Sequence, residues 1–149
     1  MEHFECLGYY HGETKLDALL AALDVNERPI LPRGDTDTYL SNEAAGIELT
    51  FSDSASLSAP QRDYPAGALV LVNIRYYGMR LEEFSIYQGN LPYGLTFGLK
   101  KSELIALLGE PEWRNPEGLR LRWIRGHHRI HVTVSKSEGA IIVSLGLPL

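Results

Sequence analysis

A chain of 149 residues, 44% apolar and 22% charged, is long enough for one domain with its own core, or for two small units sharing one. It has no run of ~18 apolar residues, which argues against a helical membrane span, and its single cysteine, Cys6, excludes an internal disulfide. The formal charge of −5 is uneven. Residues 1–78 hold 5 Lys and Arg against 12 Asp and Glu, while residues 79–149 hold 9 against 7. The acidic first half speaks against a nucleic-acid backbone as ligand. Plain solubility is the first reading of such a surface, and attraction of a basic protein partner the second.

The opening "MEHFECLGYYHGE" has acidic and polar residues where a secretory leader needs basic ones followed by an apolar core, so a cytoplasmic location is expected. The next stretch, "ETKLDALLAALD", places Leu16, Leu19, Leu20 and Leu23 on one helical stripe, with Thr14 as the expected N-cap. "DTYLSNEAAGIELTFSD" then reads as two strands around a turn at 41–46, with Ile47, Leu49 and Phe51 on one face and Glu48, Thr50 and Ser52 on the other. The loop "SDSASLSAPQRDYPAGA" is small, polar and proline-containing, as mobile surface loops are. "ALVLVNIRYY" is a third strand. Its alternation assigns Val70, Val72, Ile74 and Tyr76 to the core. Leu69, Leu71, Asn73, Arg75 and Tyr77 fall on an opposite face too apolar to be wet, to be covered by the other half of the chain or by a partner.

After a connector in which Phe84, Ile86 and Tyr87 suggest one more short strand, the pattern recurs. "KSELIALL" sets Leu104, Leu107 and Leu108 on a helical stripe, widened by Ile105. The strands of "LRLRWIRGHHRIHVTVS" put Leu119, Leu121, Trp123, Ile130, Val132 and Val134 inside. They leave Arg120, Arg122, His127, Arg129, His131 and Thr133 outside, and "AIIVSLGL" closes the set. The order helix, hairpin, strand thus occurs twice. The expected fold is α+β: two pseudo-repeated units, 1–78 and 79–149, each a short helix packed on its own antiparallel sheet, fused into one body.

Reactive constellations are scarce. Within "HHRIH" only His127 and His131 share a strand face, with Arg129 between them to repel a cation, so no metal site is expected. Cys6 lies near His3 and His11 in sequence but lacks the setting of an activated nucleophile. Asp35 and Asp37 in "RGDTDT" read as a turn rather than an acid–base pair, and the glycines lack phosphate-loop spacing. No catalytic residue and no cofactor is expected.

"FGLKKSELIALLGEPEW" resembles the Gly-x-Ser/Thr-x-x-Glu-Val-x-x-x-Leu-Gly-x-Pro signature of small helix-then-sheet domains. That signature occurs in lipoproteins of the outer-membrane barrel-assembly machinery and in the tandemly duplicated beta-lactamase inhibitor protein. Gly98, Glu103, Leu104, Leu108, Gly109 and Pro111 match it, and Lys100 replaces the capping Ser or Thr. With "LPYGLTFG…LLGEP" the chain also looks like immunity proteins of bacterial polymorphic and contact-delivered toxin systems. That resemblance implies a non-catalytic, cytoplasmic, monomeric or weakly dimeric binder that neutralises a cognate toxin by occlusion, with no nucleic acid or membrane involved. The contact residues expected from the acidic surface are Asp35, Asp37, Glu43, Glu48, Asp53 and Asp63, with Tyr64. The alternatives are a self-associating scaffold and a small ligand-binding domain.

Overall fold

The computed structural model describes residues 2–148. Helix α1 spans Thr14–Ala22 and is followed by strands β1 (Asp37–Asn42), β2 (Ile47–Asp53) and β3 (Leu69–Tyr77). Helix α2 (Lys101–Leu108) precedes β4 (Trp113–Arg114), β5 (Arg120–Arg125), β6 (His128–Ser135) and β7 (Gly139–Gly146). All seven strands form one antiparallel sheet in the order β1-β2-β3-β7-β6-β5-β4. Among the described residues no helix is long and apolar enough to cross a membrane.

This corrects the expected fold. The chain does not form two repeated helix-on-sheet units; it forms a single sheet-dominated body with two short helices. The overturning feature is the pairing of β3 with β7, Asn73 opposite Gly146 through Tyr77 opposite Ile142, which joins the two halves edge to edge. Each half alone would leave an unpaired strand edge, a row of unsatisfied N–H and C=O groups. Joining the edges satisfies both.

Two registers also depart from strict alternation. Thr50 pairs with Asn73 but Phe51 pairs with Leu71, so β3 carries one extra residue there. That bulge turns Leu71 into the core and takes Val72 out of it, which exchanges the two faces expected for this half of β3. The outer face of β3 is still apolar, now through Val70, Val72 and Tyr77, and the chain covers it itself: the three are 0%, 6% and 5% exposed, with Phe84 stacked on Tyr77 at 4.1 Å. The matching extra residue in β7 lies between Ala140 and Ile142.

Both helices lie on the same face of the sheet. Leu16, Leu19 and Leu20 of α1 and Leu104 and Leu108 of α2 join Leu49, Phe51, Ile74, Leu121, Trp123, Ile130, Val143 and Leu145 in one core. Each such leucine contributes about 1.5–3 kcal/mol by leaving water. Leu107, expected in the stripe, is 45% exposed, so α2 touches the sheet along Leu104 and Leu108 with Ile105 half-buried. Glu13, not Thr14, is the N-cap of α1, and its carboxylate accepts the Tyr10 N–H at 2.8 Å. At α2 the Glu103 carboxylate accepts the Lys100 N–H at 2.9 Å, which replaces the missing Ser or Thr cap with its reciprocal half. The short strand expected around Phe84–Tyr87 is absent as a strand. Leu81 and Phe84 form an isolated bridge, and Tyr87 donates to the Tyr77 carbonyl at 2.8 Å.

Candidate functional site

The helices leave the second face of the sheet free, and apart from the ends of β3, where Val70 and Tyr77 are buried and Phe84 stacks on Tyr77, its centre is open. Antiparallel register sets its side chains in rows across the strands. One row runs Ser41, Glu48, Arg75, Ser144, His131, Arg122, Trp113, through β1, β2, β3, β7, β6, β5 and β4. The next runs Tyr39, Thr50, Asn73, Gly146, Arg129, Ile124. Small side chains occupy the middle and long cations stand over β3, β5 and β6. The result is a trough of about 610 Å³ with Asp37 and Glu48 on one bank and Arg75, Arg120, Arg122 and Arg129 on the other.

The cations are unequally satisfied. Arg122 is held by Glu112 at 2.6 Å and stacks over Trp113 at 5.1 Å. Among the described residues no carboxylate lies within 4.0 Å of Arg75, Arg120 or Arg129. Arg75 has one long hydrogen bond, Nε to Ser144 Oγ at 3.4 Å. Half-buried Arg129 lies against Gly146, where an added Cβ would stand 3.1 Å from its Nη2 and 3.0 Å from Asn73 Oδ1. Burial, together with Arg122 beside it, lowers Arg129 from the ordinary guanidinium value. On the acidic bank, Asp37 accepts the Ser52 hydroxyl at 2.6 Å, and burial raises the Glu48 carboxyl against the pull of Arg75.

His131 sits at the centre of this charge. Burial lowers it to about 4 from 6.5, reinforced by Arg129, Arg120, Arg75 and Arg122. The folded chain therefore keeps His131 neutral where an unfolded chain takes up a proton, so stability falls as pH drops from about 6.5 to about 4 and this residue adds no further loss below that. His131→Gln is expected to flatten the melting temperature over that window. An unaltered slope would assign the acid sensitivity to His3 or His128, which burial lowers in the same sense.

The sequence-predicted contact residues fall in several places. Asp35, Asp37 and Asp53 gather at the open end of the β1–β2 hairpin, where the Asp53 N–H donates to the Thr36 carbonyl at 2.8 Å. Asp53 also accepts the Ala55 N–H at 3.2 Å and so caps the following turn. Glu43 is exposed in the turn at the hairpin's other end, and Glu48 belongs to the trough. Asp63 is exposed in the loop between β2 and β3, beside Tyr64, whose hydroxyl donates to the Gly8 carbonyl at 2.5 Å. Only Asp37 and Glu48 of these seven line the trough.

The histidines expected to share a strand face diverge. His127 lies in the β5–β6 turn, His128 meets the Tyr93 hydroxyl at 2.9 Å, and His131 points into the trough. Among the described residues no three His, Cys, Asp or Glu side chains converge as for a metal. Cys6 is fully buried, its thiol raised by burial, and His3 Nδ1 is engaged with the Tyr76 hydroxyl at 2.8 Å.

The loop expected to be mobile is tied down by Arg62. Its guanidinium meets Glu13 at 3.0 and 3.2 Å and lies over the rings of Tyr9, Tyr10 and Tyr64 at 5.9, 5.5 and 5.2 Å. Arg62→Ala is expected to speed proteolytic cleavage within residues 57–67 while changing global stability by no more than about 1 kcal/mol, since the pair is partly exposed. Unaltered cleavage would show that Arg62 does not hold the loop.

No family model matches the chain, and no curated protein matches it. A solved structure, a DUF4309 family protein (YjgB) from Bacillus subtilis subsp. subtilis str. 168, is similar at 20% identity, covering 93% of this chain and 80% of that one, with a TM-score of 0.44. A likeness at that level assigns neither family nor activity.

Proposed function

We propose that this chain acts by binding rather than by catalysis, and that a protein partner lies across the open face of its sheet. The observation that carries the reading is the open centre of that face. Six strands, β1, β2, β3, β5, β6 and β7, present one trough in which Arg75, Arg120 and Arg129 have no carboxylate within 4.0 Å, on a scaffold whose other face packs the core. Flat or concave sheet faces built from rigid strands hold contact residues in fixed positions, which lowers the entropic cost of association. In this reading the chain is a cytoplasmic immunity-type protein that neutralises a toxin by covering it, as the resemblance carried by "LPYGLTFG…LLGEP" implies.

The test is a steric block. The tagged chain is used to capture its partner from the native host, the partner is identified by mass spectrometry, and the purified pair is measured by calorimetry. Thr50→Trp, which fills the trough from β2, is expected to abolish binding of a partner that the unaltered chain holds at one-to-one stoichiometry and inhibits. Undiminished binding by Thr50→Trp would move the interface off this face. A purified partner that is bound without being inhibited would remove the neutralising role.

A further inference from the structure

The distribution of charge within the trough specifies what kind of segment it receives. Arg75 and Arg129 stand two strands and one row apart, roughly 12 Å between Cα atoms by ordinary sheet spacing. Their heads rest over different residues of β7, Arg75 Nε at Ser144 Oγ and Arg129 Nη2 beside Gly146, two residues apart along the strand, which suits separate anionic side chains of an extended segment. Between them the floor is Asn73, Ser144 and Gly146, with donors on Asn73 and Ser144. Gly146 has no positive φ, so its backbone does not require glycine. Its missing side chain instead leaves the space into which the Arg129 guanidinium and the Asn73 amide reach. Guanidinium is the cation best shaped for two parallel hydrogen bonds to a carboxylate.

We infer that the trough is a carboxylate receptor. An acidic segment of the protein partner crosses β3, β7 and β6, with one carboxylate taken by Arg129 above Gly146 and another by Arg75 and Ser144. This rests on the reading above and supplies the partner's chemistry. The opposite bank sets the limit of the segment, because Asp37 and Glu48 face any chain that continues toward β1. A long uniform polyanion such as a nucleic-acid strand meets those carboxylates, and the net charge of −5 opposes it further. A short acidic run followed by a neutral or basic residue fits both banks. The sign is opposite to that expected from the acidic first half, since the chain's counted charge is negative while its receptor bank is positive.

The test is a titration of isotope-labelled protein followed by backbone amide shifts, using a short poly-glutamate peptide, inorganic phosphate and a short oligothymidylate as separate probes. The expected result is saturable shifts at Asn73, Arg129, Ser144 and Gly146 with the glutamate peptide, weakening as salt rises. The Arg75→Gln, Arg129→Gln double variant is expected to lose about tenfold or more in peptide affinity. It should keep its dispersed spectrum, and Lys136→Gln, in the distant β6–β7 turn, should leave affinity unaltered. No saturable shift, shifts centred elsewhere, or equal binding by the double variant would overturn the inference. Tighter binding of phosphate or of the oligothymidylate would overturn it in favour of a small anion or a nucleic acid. With the identified partner the two proposals separate. Loss of binding in Thr50→Trp but not in the double variant retains the face and removes the carboxylate chemistry, and undiminished binding in both removes both.

Discussion

Replacing Trp123 with alanine is expected to lower stability by about 3–5 kcal/mol, the usual range for deleting a large buried aromatic side chain. Trp123 is 1% exposed in the middle of β5 and packs in the core shared by both helices. Its indole Nε1 also donates to the Gly109 carbonyl at 2.7 Å. That carbonyl ends α2, where Gly109 at φ 85° turns the chain away, so a single side chain both fills the core and fastens the helix end to the sheet. Trp123→Phe keeps much of the bulk and removes the donor, and its cost should be about 1–2 kcal/mol beyond the lost volume. Denaturant midpoints of the two variants against the unaltered chain measure both contributions. A loss below about 1 kcal/mol for Trp123→Ala would mean that the indole is not part of the core.

The second large effect is expected at Gly139, which opens β7. Its φ of 73° is unfavourable for any other residue, and an added Cβ would fall within 3.0 Å of the backbone of Gly98 and Leu99. Those two residues and β7 form a clasp: the Gly98 N–H donates to the Ala140 carbonyl at 2.9 Å, and the Ala140 N–H donates to the Leu99 carbonyl at 2.8 Å. Gly139→Ala therefore adds backbone strain of about 1–3 kcal/mol and an overpacking cost of about 1–3 kcal/mol, since backbone cannot rotate away. Gly126→Ala is the control. Its φ of 58° carries the strain, but nothing stands within 4 Å of the new Cβ. Equal melting temperatures for the two variants would show that the clasp before α2 does not constrain β7.

Both helices, both hairpins and the strands after them were legible in the sequence because each is governed by neighbours a few residues away. By contrast, β4 was not expected, and the strand expected around Phe84–Tyr87 did not form. Leucine spacing marks both helices, and period-two alternation marks both hairpins and the strands after them. What alternation does not encode is which free edge meets which. Nothing in "ALVLVNIRYY" or "AIIVSLGL" states that β3 and β7 pair, so two separate sheets were expected where there is one. The bulge opposite Thr50 and Phe51 was equally hidden, and it exchanged the expected faces of Leu71 and Val72. Charge misled for a related reason. Arg75 belongs to the half with more acids, yet the β3–β7 pairing carries it toward Arg129 and His131 from the other half. Arg120, Arg122, Arg129 and His131 were readable as one strand-pair face. Their meeting with Arg75, Asn73 and Gly146 required the topology.

The position of β7 has a consequence for how the chain is made. It follows every other strand in sequence but lies between β3 and β6, at the centre of the sheet. During synthesis, at roughly 5–20 residues per second, β1–β3 and β4–β6 emerge as two sets with nothing to join them. Until β7 leaves the ribosome, β3 and β6 each wait with an open edge. Closing that gap demands contacts of long sequence separation, of the kind that slow folding, and the waiting edges are templates for other nascent chains. Translation of this sheet thus passes through an interval of aggregation risk that ends when β7 pairs with both edges.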